Sequence, residues 1–234
     1  MNIKTRSNRK EIMDHHDLDG EELERILGEV EGVNRLLGGY KVTLEGIDKI
    51  LKSGCYAQPV EIMDVGCGNG NMLREVAKMG RSRGIRMKLI GVDISNSTIE
   101  IARKESVDFP EISFETMDVT SRDFGEKKTD IILCTLTLHH FKDKEIEDLM
   151  KVFEKVCQMG IVINDLHRSR LAYHLFKLYS SFYMKNEIAK KDGLTSILRS
   201  FRKEDLKWYG RNLKARNQMI SWKWAFRYQW MLLK

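Results

Sequence analysis

Residues Val60–Gly70 read VEIMDVGCGNG, and this stretch indicates the fold class of the 234-residue chain. Its first half has the length and apolar character of a buried β-strand. Its second half places Gly66, Gly68 and Gly70 at the start of a helical pattern. Glycine lets the backbone turn tightly and approach a ligand, and a helix N-terminus presents unpaired N–H groups. The stretch predicts a ligand-binding turn, a feature that dinucleotide-binding folds share.

Three acidic residues narrow the class of ligand. Asp64 precedes the glycines on the predicted strand, and Asp93 ends the next strand, 93 − 70 = 23 residues after Gly70. An acid at that position can accept hydrogen bonds from both hydroxyls of a ribose. Asp118 ends the strand that follows. Dinucleotide dehydrogenases usually carry G-x-G-x-x-G, whereas Asn71 follows the third glycine, so the pattern disfavours that class.

Short apolar strands alternate with helices after this turn. Such alternation is typical of a parallel sheet that is covered by helices on both faces. Strands are predicted at 60–65, 87–93, 112–117, 130–138 and 159–165, and helices at 70–79, 97–105 and 143–157. Two helical patterns precede the sheet, from Leu23 to Leu37 and from about Val42 to Leu51. The sequence therefore predicts an α/β protein with N-terminal helices.

The C-terminal third contains a helical insertion and a possible sheet edge. The insertion, roughly 167–200, carries a wide apolar helical stripe at 171–183. A helix near 203–214 leads to Gln218–Leu233, where large apolar side chains occupy every second position. This alternation fits one long strand or two short ones broken near Ala225, and the sheet architecture favours two. The rings are expected to face inward, with Lys223, Arg227 and Gln229 in water.

At these motifs the sequence resembles class I methyltransferases that use S-adenosylmethionine. The segment DVGCGNG is similar to their motif I, GVDIS to the segment with the ribose-binding acid, and MDV to the adenine-binding loop. The resemblance implies a Rossmann-like seven-stranded sheet with an antiparallel last strand. It also implies that the cofactor is bound by Asp64, Gly66, Cys67, Gly68, Asn69, Gly70, Asp93, Ile94, Asp118, Val119, Cys134 and Thr135.

A narrower resemblance concerns the type of acceptor. The segment Leu136–Phe141 is similar to the ubiquinone/menaquinone-biosynthesis-like branch, whose members methylate small molecules. Three further segments resemble a bacterial subgroup associated with polyketide-type or phenolic products, although their motifs have no assigned chemistry. These are Arg6-Ser7 with Glu11–Asp14, Asn164–Ser169, and Lys191–Ser196. The expected organisation is a single domain, 1–234, with an N-terminal helical cap (1–54), a cofactor-binding core (55–166), a lid (167–200) and C-terminal helix and strands (201–234).

Two histidines are the first candidates for the catalytic base. A phenol or hydroxyl acceptor must lose its proton, and His titrates near neutral pH. His139 and His140 leave the fourth strand where the methyl group is expected to point, with His139 slightly favoured. His167 and His174 on the lid are weaker candidates, and each of the four has packing as an alternative role. O-methylation is preferred, and C-methylation of a quinone precursor is the first alternative.

The lid is predicted to select the acceptor. Its stripe can cover an aromatic molecule, pack on the domain or a partner subunit, or lie on a membrane with Arg168, Arg170, Lys177 and Lys185 on the polar side. Asp165 can cap the lid helix, orient the substrate or pair with Arg168. Candidate acceptor-binding residues are Asp165, His167, Arg168, Tyr173 and Phe176. The N-terminal helices can place Met13, Asp14, His15 or His16 near the cleft.

Composition limits the other classes of function. Four scattered cysteines without CxxC spacing argue against a zinc site and suit a reducing cytoplasm. Oxygen ligands of the number that magnesium prefers are not evident, so a metal-free mechanism is expected.

The net charge is +6, and residues 199–234 carry ten Lys/Arg against two acids. An RNA methyltransferase is therefore a second alternative and a non-catalytic cofactor-binding scaffold a third. No segment is long enough to span a membrane, peripheral contact is open, and the sequence does not predict the oligomeric state.

Overall fold

Seven strands form one mixed sheet in the computed structural model, which describes residues 3–14, 20–54, 56–215 and 217–234. The strands are β1 (Val60–Val65), β2 (Met87–Asp93), β3 (Ile112–Thr116), β4 (Thr129–Thr135), β5 (Cys157–Leu166), β6 (Asn217–Lys223) and β7 (Arg227–Leu233). Their order is β3-β2-β1-β4-β5-β7-β6. The first five strands pair in parallel, and β7 runs antiparallel to both β5 and β6. This arrangement confirms the predicted Rossmann-like sheet with an antiparallel last strand.

Helices cover both faces of the sheet. They are α1 (Gly20–Leu36), α2 (Gly39–Ser53), α3 (Asn71–Arg83), α4 (Asn96–Glu105), α5 (Asp143–Val156), α6 (Arg170–Tyr183), α7 (Glu187–Arg199) and α8 (Lys203–Gly210). Apolar residues of α2, α3 and α4 form a core with one face of the strands, and those of α5 and α8 form a core with the other. No helix in the described part of the chain is both long enough and apolar enough to cross a bilayer.

The fourth strand is shorter than predicted. It ends at Thr135, whereas the sequence indicated a strand up to residue 138. Leu136 has a φ of 55°, which a strand residue does not adopt, and Leu138–His140 form a short 3-10 helix. The apolar run therefore continues through a turn, and this turn brings His139 and His140 to the C-terminal edge of the sheet.

The C-terminal segment forms two strands, as the sheet architecture favoured, but the predicted exposure of its side chains is wrong. Arg227 and Gln229 are buried, because α2 covers the face of β7 that was expected to meet water. Trp222 and Trp224 are 48% and 66% exposed, because they lie on the edge strand β6 and in the turn that follows it. Alternation identified the two faces of the strand, but it could not indicate that both faces of β7 are covered.

Candidate active site

The turn after β1 is closed on one side and open on the other. Gly66, Gly68 and Gly70 have φ values of 67°, 54° and 77°, in the left-handed region that favours glycine. A side chain at Gly66 would collide with Thr137, which follows β4. No atom outside the adjoining residues lies within 4 Å of the position that a Cβ of Gly68 would take. A ligand can therefore approach the backbone at Gly68.

Asp93 ends β2 beside this opening. Its Oδ2 accepts a hydrogen bond from the Gly68 N–H at 3.2 Å, and its Oδ1 accepts one from the Ser95 N–H at 3.0 Å. Burial raises the pKa of Asp93, while these backbone donors act in the opposite direction. The next residue, Ile94, is 59% exposed and offers an apolar surface for a ring. An oriented carboxylate next to an open apolar surface fits the ribose and base of an adenosine.

Asp64 is buried near the end of β1, and one of its oxygens lacks a partner. Its Oδ1 makes no hydrogen bond with any described residue. Burial raises the pKa of Asp64 to about 8, and the nearby Asp93 carboxylate acts in the same direction. A buried polar atom without a partner costs about 1–3 kcal/mol, and a ligand amino group would supply that partner. With Gly68 and Asp93, Asp64 therefore fits S-adenosylmethionine, which carries a ribose and a cationic amino group.

Three other predicted cofactor residues have side chains that are already engaged. The Asn69 side chain donates to Glu105 Oε2 at 3.1 Å. The thiol of Cys67 is buried and donates to the Gly68 carbonyl at 3.6 Å. Cys134 is completely buried in the core, and burial raises the pKa of both thiols. Any contact of the two cysteines with the cofactor therefore involves the backbone, whereas Asn69 keeps its side-chain oxygen for a ligand.

The remaining predicted cofactor residues lie at the ends of β3 and β4. Asp118 is exposed, and its Oδ1 accepts a hydrogen bond from the Thr120 N–H at 2.8 Å. Val119 is buried in the core next to it. Thr135 Oγ1 lies 3.0 Å from the hydroxyl of Thr43 on α2. Sequence reasoning therefore placed these residues at the correct edge of the sheet, and their role with the cofactor stays a prediction.

His139 lies between two carboxylates. Its side chain is buried, and its Nδ1 lies 2.8 Å from Asp165 Oδ1. Its Nε2 lies 3.5 Å from Glu11 Oε1. Burial alone would lower the pKa of His139, but the Asp165 carboxylate first and then Glu11 raise it to about 10. The two carboxylates therefore favour the imidazolium form of His139, and its buried ring is not accessible to an acceptor hydroxyl.

His140 is the histidine of this pair that reaches the surface. Its side chain is 31% exposed, and its Nε2 lies 3.8 Å from Glu11 Oε2. The two imidazole rings are close, with centroids 4.4 Å apart. The sequence slightly favoured His139 as the base, but the geometry favours His140, because only His140 combines an accessible ring with a carboxylate neighbour.

Glu11 belongs to an N-terminal strap, residues 3–14. Sequence reasoning placed Met13 and Asp14 of this strap near the cleft but did not identify Glu11 as a neighbour of the two histidines. Arg6 fixes the strap by donating to the carbonyls of His139 and Phe141, both at 3.0 Å. Asp192 on α7 accepts hydrogen bonds from the N–H groups of Ile12 and Met13 at 2.7 and 2.9 Å. The three subgroup segments without assigned chemistry therefore meet around His139. The resemblance of these three segments to one subgroup was the only feature of the sequence that pointed to Glu11.

The predicted lid residues have mainly structural contacts. Asp165 pairs with His139 rather than with Arg168, and Arg168 pairs with Asp205 at 2.9 Å. His167 accepts a hydrogen bond from the Trp222 indole at 3.3 Å. Tyr173 and Phe176 are half-buried on α6, and His174 is exposed. Of the candidates in the N-terminal segment, Met13 is half-buried, and His15 and His16 lie outside the described residues.

The same cluster has ligand atoms close enough to hold a metal ion. One atom each of Glu11, His139 and His140 lie within 4.8 Å of one another. However, the Arg199 guanidinium also lies 3.9 Å from Glu11, and the Nδ1 of His139 is already paired with Asp165. These contacts engage a carboxylate and a ring nitrogen that a metal ion would need. A metal-free mechanism therefore stays the prediction.

Replacing His139 with alanine is expected to destabilise the fold by about 3 kcal/mol, because Glu11 and Asp165 would lose the cation between them. Urea unfolding followed by circular dichroism measures the change in the free energy of unfolding. His174→Ala is the matched control, because His174 is exposed, and it should change that free energy by less than about 0.5 kcal/mol. Equal stability of the two variants would contradict the ion-pair assignment.

The stabilising effect of His139 is also expected to depend on pH. The pKa of His139 is about 10 in the folded protein, above its ordinary value of 6.5. The folded state therefore binds the proton more tightly, and the stabilisation is fully present below about pH 6.5. It is lost as the pH rises through about 10. The difference in stability between wild type and His139→Ala should shrink over this interval, and a constant difference would contradict the raised pKa.

The sequence is similar to known methyltransferases over part of its length. Residues 62–160 match the family model described as a methyltransferase domain. Phosphoethanolamine N-methyltransferase 1 of Triticum aestivum is 28% identical over 136 residues, which are 56% of this chain and 25% of that protein. The chain therefore spans about a quarter of the length of this curated relative.

Two solved structures show similarity over nearly the whole chain. One is the plantazolicin methyltransferase BpumL in complex with a triazolic desmethylPZN analog and SAH, with a TM-score of 0.67, 17% identity, and coverage of 93% of this chain and 92% of that one. The other is magnesium protoporphyrin IX methyltransferase from Synechocystis with bound SAH, with a TM-score of 0.61, 14% identity, and coverage of 92% and 93%. These similarities establish the shared fold.

Proposed function

We propose that this chain, whose residues 62–160 match the model of a methyltransferase domain, is a class I S-adenosylmethionine-dependent methyltransferase that transfers a methyl group to an oxygen of a small aromatic acceptor. S-adenosylmethionine is its cofactor. The observation that carries the proposal is the position of an accessible histidine, His140, at the same edge of the sheet as the open turn at Gly68 and the oriented carboxylate of Asp93.

The cofactor supplies an electrophilic methyl group on a sulfonium, and the protein aligns the acceptor for an in-line displacement. Asp93 is proposed to accept hydrogen bonds from the ribose hydroxyls, and Asp64 to bind the amino group of the methionine part. Gly66, Gly68 and Gly70 bring the backbone close to the ligand. Ile94 offers the surface against which the adenine packs, and Asp118 and Val119 are proposed to flank it.

The proton of the acceptor hydroxyl is proposed to move to His140 as the oxygen attacks the methyl carbon. His140 has an accessible ring, and the Glu11 carboxylate 3.8 Å away stabilises the charge that His140 gains. His139 is not proposed for this step, because its ring is buried and its Nδ1 is paired with Asp165. We therefore assign His139 a positioning role, in which it fixes Glu11 on the strap.

A small aromatic acceptor agrees with the composition of the segment that is predicted to select it. Tyr173 and Phe176 on α6 supply half-buried aromatic surface there. The relatives with solved structures are named for plantazolicin and magnesium protoporphyrin, both small molecules relative to a nucleic acid or a protein. We propose a phenolic or polyketide-type acceptor on the combined basis of these features and the subgroup resemblance.

A calorimetric titration followed by an acceptor screen tests the proposal. S-adenosylmethionine and S-adenosylhomocysteine should both bind and stabilise the fold. Phenols should then be methylated in the presence of a chelator, because no step of the proposed mechanism needs a metal. Turnover of quinone precursors at carbon, salt-sensitive methylation of RNA, or cofactor binding without any turnover would each contradict the proposed acceptor class.

Replacing Glu11 with glutamine is expected to lower kcat about tenfold, because an interaction of a few ångströms between opposite charges contributes about 1–2 kcal/mol in a partly buried site. The dissociation constant of the cofactor should not change, since Glu11 contacts the histidines and not the proposed cofactor residues. Steady-state kinetics and calorimetry measure the two quantities. Glu11→Asp keeps the charge and should recover part of kcat, and an equal loss in both variants would contradict an electrostatic role.

A further inference from the structure

The helix α6 has two apolar faces, and only one of them is packed. Its inner face includes Ala172, Phe176 and Ser180, and the Phe176 ring lies against Gly193 on α7. On the opposite side, four large apolar residues recur at spacings of four, three and four positions, which places them on one face of a helix. This outer stripe consists of Leu171, Leu175, Leu178 and Phe182.

The outer stripe is unusually exposed. The exposed fractions of its side chains are 58%, 44%, 59% and 77% in chain order. Tyr183, the last residue of the helix, is 74% exposed. Single exposed apolar residues are normal on a protein surface, but a contiguous apolar stripe marks an interaction site. The stripe therefore requires an apolar partner.

The charges around the stripe indicate which partner it fits. The sequence of α6 contains no acidic residue, whereas Arg170 and Lys177 lie on it and Lys185 follows it. None of these three cations forms an ion pair with another described residue. By helical position, Arg170 and Lys177 lie on the same flank of the stripe. An apolar stripe with basic residues along its side is typical of helices that lie in the surface of an anionic membrane.

Two exposed indole rings lie on β6 and in the turn after it, and one of them contacts the segment that precedes α6. Trp222 bonds to His167, three residues before the helix, and Trp224 follows in the turn after β6. Both rings are largely exposed, and Trp222 keeps its N–H bonded while its ring faces solvent. Tryptophan is enriched where one side of a residue is apolar and the other is hydrated, as at a bilayer surface.

We propose that the outer stripe of α6 binds the surface of a bilayer that contains anionic lipids. The apolar side chains enter the boundary between headgroups and acyl chains, while Arg170, Lys177 and Lys185 contact lipid phosphates. The surface lies on α6, outside the proposed cofactor and base residues, so this proposal does not depend on the acceptor or on the reaction.

Vesicle sedimentation tests the proposal with the full chain. Vesicles of phosphatidylcholine alone are compared with vesicles that also contain phosphatidylglycerol, at low and high salt. The protein should sediment with the anionic vesicles only, and less at high salt because the charges are screened. Lys177→Gln should weaken binding about fivefold and Leu178→Ser about tenfold or more. Cofactor affinity should be unchanged in both variants, which shows that they fold.

Two control variants test whether the loss of vesicle binding is specific to α6. Lys88→Gln removes a cation and Val107→Ser an exposed apolar group far from α6, and neither should affect sedimentation. Absence of binding, equal binding to both kinds of vesicle, or equal losses in the controls would overturn the proposal. A dimer in light scattering that Phe182→Ser dissociates, without vesicle binding, would overturn it in favour of a second copy of the chain.

Discussion

Replacing Asp93 with alanine is expected to weaken binding of S-adenosylmethionine at least about a hundredfold. Each hydrogen bond between a hydroxyl and a charged acceptor contributes about 1.5–3 kcal/mol, and the proposed ribose contact contains two of them. The Asp93 carboxylate also accepts the Gly68 N–H, so its loss would leave the open turn less ordered. Isothermal titration calorimetry with S-adenosylhomocysteine measures the effect without turnover.

The controls for Asp93 separate cofactor binding from folding. Asp93→Asn keeps the size of the side chain but loses the charge, and its affinity should fall between those of the wild type and the alanine variant. Asp123→Ala removes an exposed acid near β4 and should bind the cofactor normally. Normal affinity of a folded Asp93→Ala variant would show that the ribose is bound elsewhere.

Replacing His140 with alanine is expected to lower kcat by about 10²–10⁴, which is the usual contribution of a general base. The cofactor affinity should stay unchanged, because the proposed ribose and amino-group contacts come from Asp93 and Asp64. The fold should tolerate the change, since the His140 side chain is partly exposed. Single-turnover kinetics with saturating cofactor isolates the chemical step from product release.

The variants His139→Ala and His174→Ala show whether the loss of kcat is specific to His140. His174→Ala should retain full activity, because that side chain is exposed on α6 and its ring contacts the neighbouring Tyr173. His139→Ala should lose stability first. An unchanged kcat in His140→Ala, or loss of cofactor binding in that variant, would exclude His140 as the base.

The sequence predicted the sheet well because strands and turns are indicated by residues that are close together in the chain. A strand, a glycine turn and an acid at the end of the next strand occur in order along the chain, and the parallel sheet then places the strand ends together. Asp64, Gly68 and Asp93 were predicted as cofactor residues in this way, and the structure places them at one edge of the sheet. The two terminal strands were also found, because alternation in Gln218–Leu233 is a property of neighbouring residues.

The arrangement around His139 could not be predicted, because it depends on contacts between distant segments. Glu11 and Asp165 are 154 positions apart in the chain, yet both approach the same imidazole. No periodicity connects them. The sequence also does not distinguish a histidine that is buried between two carboxylates from one that is accessible. The assignment of the base to His139 or His140 therefore required the structure.

The exposure of α6 escaped prediction for a related reason. A wide apolar stripe can be a helix buried on several sides or one with an unpacked outer face, and its residues are the same in both cases. The sequence left the acceptor, the domain and a membrane as alternatives. The structure divides the stripe into an inner face on α7 and an outer face in solvent.

The most direct test of the proposed reaction is the position of a labelled methyl group. S-adenosylmethionine labelled at its methyl carbon is incubated with the protein and a phenolic acceptor, and the product is analysed by NMR spectroscopy. We predict that the label appears on oxygen, and that its rate of appearance falls with His140→Ala. Label on a ring carbon or on RNA, or no transfer by a protein that binds the cofactor, would contradict the proposal.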